Sequence, residues 1–333
     1  MERSPGVSVL CGAACIAASA VLIRLSGSSA GAVAFFRCAF ALVVLAMLVP
    51  LDRSASGRPP LPRRARWFAR WGGVLFAGDL ILLTHTINAV GAGLATVLAN
   101  LQVLFVGLIA WWVLRERPSR FLVAAMPLVI VGVALVGGLG DAVGYGPNPM
   151  LGVGFGLGAS LLYAGFILLL RHGQTLAPRS GAVRPLFEAM LGATVGSAVL
   201  AAVLQDFRLG PLWPSLGWLA LLACSSQVLG WLLISASLPK LPAALTSLLL
   251  LIQPIGAMAL AAAVFGEHPS VGQLAGVAVL LAGIVAASAG EVTLAGVRRL
   301  AAGWGARPVP GREADGVVAP PPASPPGPLV RTR

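Results

Sequence analysis

The chain has 333 residues, 58% of them hydrophobic and 10% charged, with a mean hydropathy of +0.91. A soluble domain carries about 25% charged residues, so this composition excludes a water-soluble globular fold and places the chain in the lipid bilayer. The formal net charge of +12 would suggest nucleic acid in a soluble protein, but here the basic residues sit in alternate loops between apolar runs, a topology signal, and no nucleic-acid partner is expected.

A spanning helix needs about 20 mostly apolar residues. Ten stretches meet that need: 6 to 25, 32 to 50, 69 to 89, 92 to 114, 121 to 139, 151 to 170, 185 to 204, 215 to 237, 243 to 265 and 271 to 290. The expected fold is an all-α polytopic membrane protein. The first stretch, with Arg3 before it and Ala18-Ser19-Ala20 inside it, imitates a signal peptide. Its basic region is thin and nine further spans follow, so a retained first span is expected. Cys11, Cys15, Cys38 and Cys224 all fall inside spans, where small, weakly polar residues pack well. Neither a disulfide framework nor a metal site is expected, and no cofactor.

Span two carries Arg37 close to its start, read as an interfacial anchor or gate-side residue. The following loop is rich in arginine: Arg53, Arg58, Arg63, Arg64, Arg66 and Arg70. Span three holds Asp79, the only acid deep inside a predicted span. A charge at mid-bilayer costs about 2.5 to 3.5 kcal/mol on the insertion scale, which makes its bearer a functional candidate. Thr86 shares the helical face of Asp79, whereas His85 points about 120 degrees away, so Asp79 and His85 are not a direct pair and His85 is placed with the gate or anchor residues. In span four, Thr96 and Asn100 make a polar stripe at i, i+4, on a face away from Gln102. Arg115, Arg117 and Arg120 fill the next loop, and a glycine-rich segment at 137 to 150 joins the halves.

Span six contributes Tyr163, and Ser160 as the one serine weighed as a nucleophile. Arg171, Arg179 and Arg184 follow it. Glu188 lies near the cytoplasmic end of span seven, again as a gate or anchor. Span eight offers Ser225, Ser226 and Gln227, with Trp231 one turn on. In span nine, Thr246 and Gln253 share a face at i, i+7, and Pro254 frees a carbonyl one turn earlier. Lys240, between spans eight and nine, and Arg298, Arg299, Arg307 and Arg312, after span ten, continue the alternation, and only Arg24 and Arg208 interrupt it substantially. Both termini are therefore expected in the cytoplasm. From about Gly303 the chain turns to Pro, Gly, Ala and Arg, and 303 to 333 reads as a disordered cytoplasmic tail.

Residues 94 to 138 lie on 245 to 289 at one fixed offset of 151. Gln102 meets Gln253, Glu116 meets Glu267, Pro118 and Ser119 meet Pro269 and Ser270, and Gly132 meets Gly283. Residues 1 to 140 and 150 to 291 thus read as two repeats of five spans each, and an odd count per copy makes the repeats inverted. Arg37 and Glu188 are also 151 apart, yet inversion sends them to opposite faces. Asp79 has Gly230 as its counterpart, so the acid belongs to one half only.

The run Gly93-Leu94-Ala95-Thr96-Val97-Leu98 through Trp111-Trp112-Val113-Leu114-Arg115-Glu116-Arg117-Pro118-Ser119 resembles the fourth span of EamA-type transporters of the drug/metabolite transporter superfamily. Its partner, Pro242-Ala243-Ala244-Leu245-Thr246-Ser247 through Gln253-Pro254 to Phe265-Gly266-Glu267-His268-Pro269-Ser270, followed by Leu281-Ala282-Gly283-Ile284, is similar. The likeness covers spans one to ten and omits the tail. One departure is that the first span lacks the tryptophan often found there in relatives. The resemblance implies two inverted five-helix halves around a central substrate cavity, and secondary transport, commonly efflux, of small metabolites or amino-acid-like compounds across the plasma membrane. Glu116 and Glu267 are read as structural, each closing a helix before a Pro-Ser turn. Asp79, Thr86, Asn100, Gln102, Tyr163, Gln227, Trp231 and Gln253 are the candidates for substrate binding or proton coupling. The expected partners are a small-molecule substrate and the lipid bilayer, with the chain a monomer or homodimer. The competing classes are an intramembrane enzyme, for which Ser160 and His85 fall at unmatched depths, and a transporter-derived sensor.

Overall fold

The computed structural model describes residues 5–51, 61–114, 120–137, 146–177, 183–210, 212–237 and 252–286, and among them all regular structure is helical. Lipid supplies no hydrogen-bond partners, so apolar runs close their backbone bonds within themselves as helices. In chain order these are α1 (Pro5–Ala17), α2 (Ser19–Ser26), α3 (Ala30–Leu51), α4 (Arg63–Val90), α5 (Ala92–Ala99), α6 (Gln102–Leu114) and α7 (Arg120–Val136). The second part holds α8 (Pro149–Thr175), α9 (Val183–Val203), α10 (Leu212–Leu222), a π-helical segment Ala223–Gly230, α11 (Trp231–Ser237), α12 (Ile252–Phe265) and α13 (Val271–Ala286).

Seven helical stretches among the described residues are long and apolar enough to cross a membrane: Gly6–Ser26, Ala30–Leu51, Arg63–Val90, Ala92–Ile109, Pro149–Thr175, Val183–Val203 and Leu212–Ile234. Val123–Val136, Ile252–Phe265 and Val271–Ala286 are shorter apolar helices. Each overlaps one of the stretches expected from sequence. The start of expected span nine, with Thr246, lies outside the described residues, as do Glu116, Lys240 and the tail from 303 to 333.

Hydrogen bonds and contacts sort the helix termini into two ends. At one, the backbone N–H of Gly31 at the start of α3 donates to the Asp206 carboxylate beyond α9 (3.1 Å), and the N–H of Asn148 before α8 donates to the Ala89 carbonyl at the close of α4 (3.3 Å). At the other, Arg70 in α4 donates to Glu188 in α9 (2.6 Å), and Phe68 meets His172 near the end of α8 with centroids 4.5 Å apart. Successive membrane stretches therefore run up and down.

Small residues set how closely these helices approach, as expected where lipid gives no hydrophobic drive for association. α4 packs mainly on α8 and α9. A Cβ on Gly73 would overlap the Ala189 carbonyl oxygen, and one on Gly192 would overlap that of Arg70, so only glycine fits this crossing. α7 meets α13 in the same manner. A Cβ on Gly132 would stand 2.9 Å from the Gly276 carbonyl, and one on Gly283 would meet Val129 and the Ala125 carbonyl. Adding the repeat offset turns 132 into 283 and 125 into 276, so this crossing maps onto itself when the copies are exchanged.

Candidate functional site

A cavity of about 80 Å³ opens where the two apolar clusters of the bundle meet, Ala20 coming from one and Phe76 and Leu80 from the other. Its wall is built from most of the chain. α1 and α2 supply Ile16, Ser19 and Ala20, α3 supplies Arg37, and α4 supplies Phe76, Asp79, Leu80 and Leu83 at helical spacing. Thr96, Ala99, Asn100 and Gln102 come from the α5–α6 junction, Tyr163 from α8, Ser226 from the π segment, Trp231 from α11 and Gln253 from α12. Volume on this scale admits a few waters or one compact solute.

Two breaks in regular helix shape this wall. Between α5 and α6, the N–H groups of Asn100, Leu101 and Leu104 donate to carbonyls three residues back, at 3.0 to 3.1 Å, the tighter 3₁₀ winding. Each such residue advances about 120 degrees instead of about 100, which carries Gln102 round toward Ala99. The face separation expected for Thr96, Asn100 and Gln102 on one straight helix is thereby corrected, because all three line the cavity. In span eight, i→i+5 bonding through Ala223–Gly230 brings residues five apart into near register. Ser226 and Trp231 therefore share the wall, where an α-helix would hold them about 140 degrees apart.

Asp79 is 4% exposed and Arg37 6% exposed. The Asp79 carboxylate takes part in neither of the two ion pairs among the described residues, and no hydrogen bond from them reaches it. Arg37 stands within electrostatic range of both Asp79 and Tyr163. Its Nε donates to Gln227 Oε1 (2.9 Å), and Gln227 Nε2 in turn lies 3.6 Å from the Met190 sulfur. Arg37 Nη1 is buried without a hydrogen-bond partner, and so is Gln102 Oε1. Buried polar atoms are nearly always bonded, so two orphaned groups in the wall of one cavity single it out as the candidate site.

The reading of Arg37 as an interfacial anchor or gate-side residue is corrected by these positions. Its side chain turns into the bundle, toward Gln227 on a neighbouring span, instead of reaching out to the headgroups. Thr86 is a second correction. It shares the helical face of Asp79, but its hydroxyl donates to the Leu82 carbonyl (2.8 Å). Gly156 of α8 closes over it, so near that a Cβ there would stand 3.4 Å from the Thr86 methyl, and the cavity ends at Leu83. Gln227 is completely buried one layer behind the wall, holding Arg37. His85 faces Phe155, with centroids 5.3 Å apart, and is not part of the lining. Glu188 is paired with Arg70 at one end of the bundle. Asn100 donates from Nδ2 to the Thr96 carbonyl (2.8 Å), which leaves its amide oxygen for the cavity. Ser160 donates to the carbonyls of Leu98 and Gly156, both at 2.8 Å, and is completely buried.

Sequence reasoning singled out Tyr163 and Trp231 but missed Phe76 and Phe166, which complete an aromatic cluster with them. Phe76 stacks on Phe166 with centroids 4.7 Å apart, and Tyr163 and Trp231 pack around the pair. Their apolar faces look like ordinary core in a sequence, and only the spacing of Tyr163 and Phe166 at i, i+3 hinted at a shared surface. Also missed was the role of Arg24, one of two exceptions to the loop-charge alternation. It is ion-paired with Glu267 and lies 4.3 Å over the Phe265 ring. Glu267 is 2% exposed and also accepts from the N–H groups of Ala92 (2.8 Å) and Gly93 (3.1 Å), capping α5. It is structural, but it closes the start of another helix, not the end of its own. Gly91, at φ 89° and ψ 166°, makes the turn that presents those two N–H groups, a conformation only glycine takes freely.

The EamA-like transporter family matches residues 5–138 and 150–289, one copy for each half. The chain belongs to the EamA-like transporter family. It is accordingly a multi-pass membrane protein of a transporter family and not a member of an enzyme family. No curated protein matches it. Among solved structures, one described only as a crystal structure of a protein is similar at 17% identity, with a TM-score of 0.52, covering 89% of this chain and 97% of the other. That likeness concerns the fold alone. The cavity described above draws its wall from both family-matched segments.

Proposed function

We propose that this EamA-like protein is a secondary transporter that exports a small, amino-acid-like metabolite across the plasma membrane by alternating access around the cavity at Asp79. The bundle in this reading has ten spans, as two inverted five-helix halves with both termini in the cytoplasm, and acts as a monomer or homodimer. One observation carries it: a cavity with buried, orphaned polar groups, Arg37 Nη1 and Gln102 Oε1, walled by both repeats. A site at the interface of two repeats is the arrangement that lets each half uncover it in turn.

Proton coupling through Asp79 is part of the proposal. A carboxylate without a hydrogen bond among the described residues, in a wall that also contains Tyr163 and Arg37, can take up and release a proton as the cavity changes sides. Two measurements test the reading. Cells overproducing the protein should accumulate a metabolite in the medium that cells overproducing Asp79→Ala do not. Flux of that metabolite in proteoliposomes should follow an imposed pH gradient, and unchanged flux in Asp79→Asn would remove Asp79 from the mechanism. Ligand-dependent flux also separates a carrier from a sensor derived from one.

A further inference from the structure

We propose that Arg37 and Asp79 form a divided charge site, in which Arg37 Nη1 receives a carboxylate and Asp79 a cationic group of one small ligand that carries both, with Gln227 setting the reach of Arg37. This deepens the transport reading and rests on it.

The two side chains are of opposite sign, both more than nine-tenths buried, on the wall of one cavity and within electrostatic range of each other. They nonetheless form no ion pair with one another. Two buried opposite charges gain much by meeting, and leaving them apart is costly. What holds them apart is visible on the Arg37 side. Its Nε is fixed by Gln227, and Gln227 is fixed by burial against Met190 and by its place in the π-helical turn. The guanidinium is thereby left with Nη1 unbonded. A guanidinium is a planar fork suited to a carboxylate, and the unbonded Asp79 oxygens suit an ammonium. Each partial site is incomplete, and a ligand with both charges completes them together. Asn100 and Gln102 offer amide atoms beside them, and Phe76, Tyr163 and Trp231 form an apolar wall for a side chain. Gln227 is a positioning residue here, since it touches Arg37 and does not line the cavity.

The test uses the full chain in proteoliposomes and needs no variant for its first arm. Binding and counterflow are measured with L-phenylalanine, with phenethylamine, which lacks the carboxylate, and with 3-phenylpropionate, which lacks the amine. The zwitterion should bind on the order of 100-fold more tightly than either analogue, because each analogue leaves one buried charge unmatched. In the second arm Arg37→Gln should lose that preference over phenethylamine, and Asp79→Asn that over 3-phenylpropionate. Gln227→Leu should lower the preference over phenethylamine while leaving phenethylamine's own affinity unchanged, a pattern that a general loss of packing does not produce. Equal binding of all three compounds, or binding of none, overturns the divided site. If the metabolite screen still finds Asp79-dependent export in that case, the transport reading stands without it. Absence of any exported metabolite removes both.

Discussion

Among the described residues, each end of the bundle carries one ion pair, and the two differ in how many donors the carboxylate holds. Glu267 is buried and holds three donors at once, the Arg24 guanidinium and the N–H groups of Ala92 and Gly93, with Arg24 also stacked on Phe265. Glu188 at the opposite end is also buried but takes one hydrogen bond, from Arg70, whose side chain is 48% exposed against 37% for Arg24. A buried carboxylate serving three donors is costly to disturb, whereas a single bond to a half-exposed arginine contributes less. Among the described residues, the ion-paired fastening is therefore stronger at the Glu267 end than at the Glu188 end.

The largest test of that contrast is Glu267→Ala, which strips the cap from α5 and leaves Arg24 unpaired. It should destabilise the purified protein by about 3 kcal/mol or more in detergent unfolding. A loss no greater than that of Arg70→Ala would erase the contrast. Arg24→Ala keeps the cap and should cost about 1 to 2 kcal/mol in the same assay, through the lost ion pair and ring contact. Access to the cavity gives a third measure. With the native cysteines replaced, a Ser19→Cys reporter should react with an impermeant maleimide about fivefold faster from the Glu267 side once Glu267→Gln is added. Arg70→Ala should leave that rate unchanged. The smallest effect is expected for Arg70→Ala on stability, within about 1 kcal/mol and shrinking further in high salt. A double-mutant cycle with Glu188→Gln gives its coupling directly.

Much of the scaffold is legible in the sequence because lipid imposes one rule on every span. Apolar run length locates the helices, and a fixed offset locates the repeat without any knowledge of contacts. Depth along the chain likewise singles out Asp79, which lines the cavity. The failures share a cause. Distance from a helix end misplaces Arg37, because it cannot register that Gln227, 190 residues away, holds the side chain inward. Helical angle misplaces Thr86, because it is silent about where α8 closes the cavity. A straight helix turns Gln102 away from Asn100, and the 3₁₀ winding at Leu101 undoes that. Periodicity assumes uniform helix, and the cavity is built where the helix is not uniform. Nothing in a run such as Ala223-Cys224-Ser225-Ser226-Gln227 announces a π-helical turn.

The crossing of α7 and α13 has a thermodynamic consequence. Gly132 against Gly276 and Gly283 against Ala125 occupy equivalent positions under exchange of the repeats, where an added Cβ would stand 2.9 and 3.6 Å from the facing carbonyl oxygen. If the two halves trade conformations, that crossing is exchanged for its repeat-related counterpart, and its energy changes little. It then acts as the fulcrum of a balance with similar arms and contributes little to which way the balance rests. The preference must come from weights that lack a twin in the other arm. Arg24 faces Thr175 in the repeat register, Arg37 faces Glu188, and Asp79 faces Gly230. A chain whose two repeats share a packing pattern can thus be biased by side chains that lack a twin, and adjusting one of them tilts the resting state.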